Sequence, residues 1–214
     1  IEHAVCLGDI VGYGADPVRA VLSVREWSEA TVLGNHDNAA GLDSGEEAFN
    51  EWAREAILWT RETLDDDQRA FLRGLPLAED YGDAVLVHAS PVDPAAWTYV
   101  LDDIRARTAF DGFEGRLCLI GHSHEPCFFE WNAGEVRRLA PGSLTMEEGR
   151  RYIVNAGSVG QPRDGDPRAS YAVVDADGST VEIVRVEYDT DRAARKIESA
   201  GLPPALAERL DHGT

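Results

Sequence analysis

The stretch Thr31-Val32-Leu33-Gly34-Asn35-His36-Asp37 decides the fold. Three apolar residues run into a glycine and then into a cluster of polar, metal-ligating side chains. A short apolar run bounded by such a turn signal reads as a buried strand. The same pattern occurs upstream, where Ala4–Leu7 ends in Gly8-Asp9. Between the two, Pro17 opens a helical stretch to about Glu29, with Val18, Val21, Leu22 and Val24 at mixed helical spacing. Strand, helix and strand of these lengths form a βαβ unit, so this part of the sheet is expected to be parallel.

Working outward, Ala84–Val87 is a third strand that delivers His88. Leu117–Ile120 is a fourth that delivers Gly121-His122, after a helix around Leu101–Ala109. Ser44 and Glu47 have the spacing of a capping box, predicting a helix that carries Phe49, Trp52, Ala56 and Trp59 on one face. Asp65 and Gln68 repeat that logic for a second helix, closed by Gly74 and Pro76. The second half is richer in strands. Cys127–Trp131 and Val136–Leu139 read as a hairpin, followed by strands at Tyr152–Asn155, Tyr171–Val174 and Thr180–Val186. A helical tail from about Asp189 to Leu210 is interrupted by Pro203-Pro204. The expectation is one α/β domain over residues 1–214, with two packed sheets and helices outside.

Composition bounds the partners. The 214 residues carry a formal charge of −19 and 43% hydrophobic residues, the balance of an ordinary globular protein. That charge argues against nucleic acid held through its phosphates and against an anionic membrane surface. It leaves room for a small phosphorylated substrate, because bound cations reverse the local field. No run reaches the roughly 18 apolar residues of a membrane span, and no basic-then-apolar leader is evident, so the expected compartment is the cytoplasm. Cys6, Cys118 and Cys127 are too scattered for a disulfide framework and read as buried free thiols. The five tryptophans read as core or rim anchors.

The chemistry gathers at strand ends. Asp9, Asn35-His36-Asp37, His88, and His122 with His124 each follow a predicted strand, and the carboxyl ends of such strands converge on one edge of an α/β sheet. A carboxylate such as Asp9 can bridge two cations, imidazoles suit Mn, Fe, Zn or Ni, and an Asn carbonyl adds a neutral oxygen. Two such ions can hold a phosphoryl group and activate water for in-line attack. His36 points differently from Asn35, which suits a catalytic histidine, with Asp37 expected to hold its ring. Arg163 lies in a glycine-rich polar segment, 157–168, and is a candidate for meeting a substrate phosphate. Asp164, Asp166 and Arg168 are expected to pair with each other or face solvent.

The order GD (8–9), GNHD (34–37), His88 and GHSH (121–124) resembles the calcineurin-like metallophosphoesterase superfamily, and the string GDIVGYG (8–14) resembles its small bacterial members. The similarity extends through Trp59-Thr60 and through Gly157–Arg163, nearly the whole chain. It implies a four-layer α/β/β/α sandwich of two mixed β-sheets flanked by helices. It implies two divalent ions, with Mn favoured and Fe, Zn or Ni as alternatives. Asp9 would bridge them, Asn35, His88 and His122 would complete one site, and His124 would belong to the other. His36 would be catalytic, paired with Asp37. The expected activity is hydrolysis of a phosphomonoester or phosphodiester, on a small phosphorylated molecule or a phosphoprotein. Family members also carry an Asp-x-His on a first strand, which Ile1-Glu2-His3 does not match. The expectation is therefore a segment upstream of Ile1 that supplies it, without which the sheet would expose an apolar edge.

Two other readings compete. A serine hydrolase is disfavoured because Ser123, in Gly121–Glu125, breaks the G-x-S-x-G pattern and Ser158 does not fit it. A non-catalytic binding scaffold on the same fold leaves His36 and Asp37 without a purpose.

Overall fold

The computed structural model describes residues 2–214, so Ile1 of the Ile1-Glu2-His3 opening lies outside it. The opening βαβ unit is present: β1 (Val5–Cys6) and β2 (Ala30–Thr31) pair in parallel across α1 (Pro17–Trp27). Pro17 stands in the first turn of α1, where a missing N–H costs nothing. Helix α2 (Asn35–Gly41) starts directly after Gly34, followed by α3 (Glu51–Thr63) and α4 (Asp66–Arg73).

A six-stranded mixed sheet forms the centre. It contains β3 (Ala78–Tyr81), β4 (Ala84–Val87), β5 (Leu117–Ile120), β9 (Arg151–Asn155), β6 (Cys127–Asn132) and β7 (Glu135–Leu139), in that spatial order. Strands β4, β5 and β9 are parallel, and β3, β6 and β7 are antiparallel to their neighbours. A three-stranded antiparallel sheet, β10 (Ala169–Asp175), β11 (Thr180–Val186) and β8 (Ser143–Thr145), stands apart from it. Helix α5 (Asp103–Ala109) and the tail helices α6 (Thr190–Ser199) and α7 (Pro204–Glu208) complete the fold, a mixed α/β architecture with helices on the outside.

Side-chain alternation along the central strands separates the layers, because successive residues of a strand face opposite sides. Leu117, Leu119, Phe128, Tyr152 and Val154 pack with Val32, Val181 and Ile183 toward the smaller sheets. Cys118, Ile120, Phe129 and Ile153 pack the other way, against Ala106, Ala109 and Phe110 of the α5 region. A third cluster joins Ala56 of α3 to Ile197 and Leu206 in the tail helices. Both β1 and β10 contribute to the wall of a cavity of about 610 Å³, lined by Val5, Leu7, Val24, Trp27 and Tyr171 among others. Among the described residues, no helix is long and apolar enough to cross a membrane.

Three local expectations are corrected. Ser44 does not cap α3: Gly45 takes a left-handed φ of 93°, Glu47 accepts from the Gly45 N–H at 3.0 Å, and a short 3-10 turn follows. Asn50 caps α3 instead, accepting from Ala53 N–H at 3.0 Å. The buried face of α3 is accordingly Ala53, Ala56, Ile57 and Thr60, whereas Trp52 is 49% exposed. Strands β3 and β8 escape sequence reading because Ala-Glu-Asp-Tyr and Ser-Leu-Thr carry no apolar period. By contrast, Asp65 and Gln68 form the reciprocal cap of α4, at 2.8 and 3.1 Å. The three cysteines are free, with Cys118 and Cys127 buried and Cys6 partly so.

Candidate metal centre

The site begins with two loops packed backbone to backbone. Gly8 has φ 85°, and a Cβ there would stand 2.6 Å from the Gly34 nitrogen. A Cβ on Gly34 would stand 2.1 Å from Asp9 Oδ1 and 2.2 Å from Asp9 N. Glycine is required at both positions by this close approach. Gly121 meets nothing closer than 3.9 Å, and at that loop the unusual backbone falls on its neighbours instead. Asp9, His122 and His124 adopt φ of 52°, 62° and 61°, left-handed values rare for residues with a Cβ. Such strain concentrates at functional sites.

Those loops bring four of the expected ligands together. His88 Nε2 lies 3.2 Å from Asp9 Oδ2, 3.2 Å from Asn35 Oδ1 and 3.1 Å from His122 Nδ1. His88 Nδ1 is 2.7 Å from the Leu7 carbonyl oxygen, an acceptor that only a protonated Nδ1 satisfies. In the neutral ring that tautomer turns the Nε2 lone pair toward two more acceptors, an arrangement that either a proton on Nε2 or a metal ion among them resolves. Ligand atoms bound at about 2.0–2.2 Å to one ion stand roughly 3 Å from one another, as the other three do from His88 Nε2. The donor set of one carboxylate, one amide oxygen and two imidazoles therefore fits a divalent transition metal. Asp9, His88 and His122 alone bring their ligand atoms within 4.8 Å of one another.

His124 is held separately. Its Nδ1 lies 2.7 Å from the Gln161 carbonyl oxygen, which orients the ring and leaves Nε2 as the nitrogen available to a metal. It does not join the Asp9–His88–His122 cluster, so the described residues gather one candidate ion site and His124 lies outside it.

Electrostatics follow from burial and from Asp9. Burial opposes ionisation of Asp9, but the neighbouring His88 and His36 charges more than offset it and hold its carboxyl far below the usual range. Burial pulls His88 down, yet Asp9 outweighs it and leaves His88 above 6.5. Burial pushes His122 down to about 4, with help from His88, and His124 down to about 3, with help from Arg163. Burial also lowers His36.

Asp37 has a different job from the one expected. It does not hold the His36 ring: Oδ1 accepts from Val11 N–H at 3.1 Å and Oδ2 from Gly34 N–H at 3.2 Å. It is the buried clamp that ties the loop after β1 to the loop after β2, and burial with Asp9 nearby pushes its carboxyl up to about 7. His36 Nδ1 is buried without a partner, while its backbone N–H donates to Asp9 Oδ1 at 2.9 Å. Its ring is held by Tyr13 and Phe49, with centroids 4.5 and 4.7 Å away.

Arg163 stands beside this centre, its backbone N–H on the His124 carbonyl at 3.2 Å and its Nη2 on the Tyr13 hydroxyl at 3.0 Å. Asp166 pairs with Arg168, as expected, and Asp164 with Arg185. Sequence reading missed Tyr99, whose ring stacks on His122 at 4.0 Å and 21° while 41% exposed. An aromatic two residues past Trp97, in a loop that follows His88, was the available signal. The cavity bordered by β1 and β10 reaches Asp9, His36, His88, His122 and His124.

Residues 1–179 match the calcineurin-like phosphoesterase superfamily domain. The chain belongs to that superfamily. Among solved structures, it is similar to a metallophosphoesterase from Sphaerobacter thermophilus, 38% identical with a TM-score of 0.90, covering 100% of this chain and 89% of that one. It is also 39% identical over 215 residues to the uncharacterized protein MJ0912 of Methanocaldococcus jannaschii, covering 98% of this chain and 86% of the relative. The hypothetical protein PH1004 of Pyrococcus horikoshii shares the fold, with a TM-score of 0.71 at 21% identity over 97% of this chain and 83% of that one.

Proposed function

We propose that this calcineurin-like phosphoesterase domain hydrolyses a phosphomonoester or phosphodiester at a dinuclear centre, with Mn the favoured ion. The observation that carries this reading is the convergence of Asp9, Asn35 and His122 on His88 Nε2 within 3.1–3.2 Å. Divalent ions bound there supply Lewis acidity toward a phosphoryl oxygen and toward water. Asp9, Asn35, His88 and His122 would hold one ion, and Asp9 with His124 would contribute to the other. The chain's own groups do the rest. His36 lines the cavity, and with Nδ1 enclosed its Nε2 is the nitrogen that would exchange a proton with a substrate oxygen. Asp37 keeps the loops carrying Asp9 and His36 in register. Arg163 offers its guanidinium to a substrate phosphate. The proposed substrate is a small phosphorylated molecule or a phosphoprotein, since a net charge of −19 disfavours nucleic acid.

The test is hydrolysis of 4-nitrophenyl phosphate and bis(4-nitrophenyl) phosphate after chelation, with and without added Mn. Turnover should vanish on chelation and return with the ion. Absence of turnover with Mn, Fe, Zn and Ni alike would reject the reading and favour a binding scaffold. His36→Asn should lower kcat by about 10²–10⁴-fold, the usual worth of a positioned proton-transfer group, with Mn content unchanged. Loss of the ion in that variant would reassign His36 to the metal shell.

Proton competition gives a further check. Burial holds His122 and His124 well below the ordinary imidazole range, whereas Asp9 holds His88 above it. Binding Mn at pH 6 should therefore release about one proton, because ligating imidazoles must be neutral. Calorimetric titration in buffers of different ionisation enthalpy measures this number; release of about three would mean that the buried histidines are not neutral.

A further inference from the structure

The Tyr13 ring is flanked by two arginines, with the Arg163 guanidinium carbon 5.6 Å and that of Arg209 5.9 Å from its centroid. Arg163 Nη2 donates to the Tyr13 hydroxyl at 3.0 Å and to Gln161 Oε1 at 3.2 Å, while its Nε is buried with no partner. Arg209 donates its Nε to the backbone oxygen of Thr214, the last residue of the sequence. Among the described residues neither arginine pairs with a carboxylate side chain, although the chain holds 39 acidic against 20 basic residues. Arg61, Arg69, Arg150 and Arg185 all find such a partner. Two guanidinium groups over one ring, neither paired with a carboxylate side chain, repel each other. Burial and the Arg163 charge together lower the Arg209 pKa.

Their position gives the arrangement a use. Arg163 is tied through its backbone to His124, and the Tyr13 ring packs on His36, so the row Arg163–Tyr13–Arg209 starts at the metal centre and leads away from it. Guanidinium forks match phosphate oxygens, and a lone positive patch in a negative field concentrates anions locally. We propose that Arg163 and Arg209, with the Tyr13 hydroxyl beside Arg163, form an anion subsite, so that the substrate is a small molecule bearing two phosphoryl groups. One group occupies the metal centre and the other the arginine pair. This rests on the phosphoester hydrolase reading above and narrows its substrate class.

The experiment uses the Mn-loaded protein and bis(4-nitrophenyl) phosphate hydrolysis, inhibited by propyl phosphate and by the bisphosphates of ethanediol, propanediol and butanediol. At least one bisphosphate should inhibit about tenfold more tightly than the monophosphate. Arg209→Gln should reduce that preference to less than about threefold, and Arg209→Lys should keep most of it. The preference is a ratio within one protein, so partial misfolding does not move it. Calorimetry with sodium sulfate on the metal-free protein reads the arginine pair without turnover; Arg209→Gln should weaken sulfate binding by about tenfold. Sulfate binding without turnover under any metal would reject the hydrolase and leave the subsite standing. Turnover with no bisphosphate preference, or a preference that Arg209→Gln retains, would overturn the subsite.

Discussion

His88→Ala is expected to strip the proposed metal centre, with hydrolysis falling by on the order of 10³-fold or more. The imidazole is the hub of the donor set: Asp9, Asn35 and His122 each approach its Nε2 within 3.1–3.2 Å. Its other nitrogen fixes the ring to the Leu7 carbonyl, so no neighbouring side chain replaces it in that position. Elemental analysis should find the ion lost along with turnover. The removed ring is 2% exposed, so some stability goes too, and a far-ultraviolet spectrum close to the parent's separates metal loss from unfolding. Full metal content with full activity in this variant would falsify the assignment.

Gly34→Ala should be the most damaging single methyl in the molecule. The added Cβ would meet Asp9 Oδ1 at 2.1 Å and Asp9 N at 2.2 Å, and one of those atoms is backbone that cannot rotate away. Relief requires the β1 and β2 loops to part, breaking the Asp37 clamp on Val11 and Gly34. The expected cost is about 3–5 kcal/mol, in the range where overpacking and a broken buried network combine. For a chain of this size that lowers Tm by roughly 6–20 °C, readable by calorimetry. A Gly34→Ala protein melting within a degree or two of the parent would show that the loops are not locked together.

The parts of this fold legible in the sequence are those written in local pattern. Val5–Cys6, Ala84–Val87 and Leu117–Ile120 are apolar runs that end in polar ligand types, and a ligand at a strand end has few places to go. Asp65 and Gln68 cap their helix through contacts three residues apart, the kind that sequence spacing reports. What was hidden depends on contacts distant along the chain. Asp37 reaches Val11 across 26 residues, so nothing next to His36 revealed that the carboxylate serves the loops rather than the ring. Tyr99 meets His122, and Arg163 meets Tyr13 across 150 residues, only because the sheet order brings their loops together. The cap expected at Ser44 failed for a local reason that residue type underdetermines, a left-handed Gly45 just after it, and the helix starts later, at Glu51.

The left-handed backbone of Asp9, His122 and His124 has a consequence for how the protein can change. Each such residue costs about 1–3 kcal/mol, and an asparagine or glycine at His122 or His124 would relax it. Selection for thermal stability alone would thus push these two positions away from histidine, the residue the proposed chemistry needs. The two demands act in opposition at the same backbone atoms, so a more heat-resistant version with its ligands intact must draw its gains from elsewhere, such as the clamp at Asp37 or the exposed face of α3.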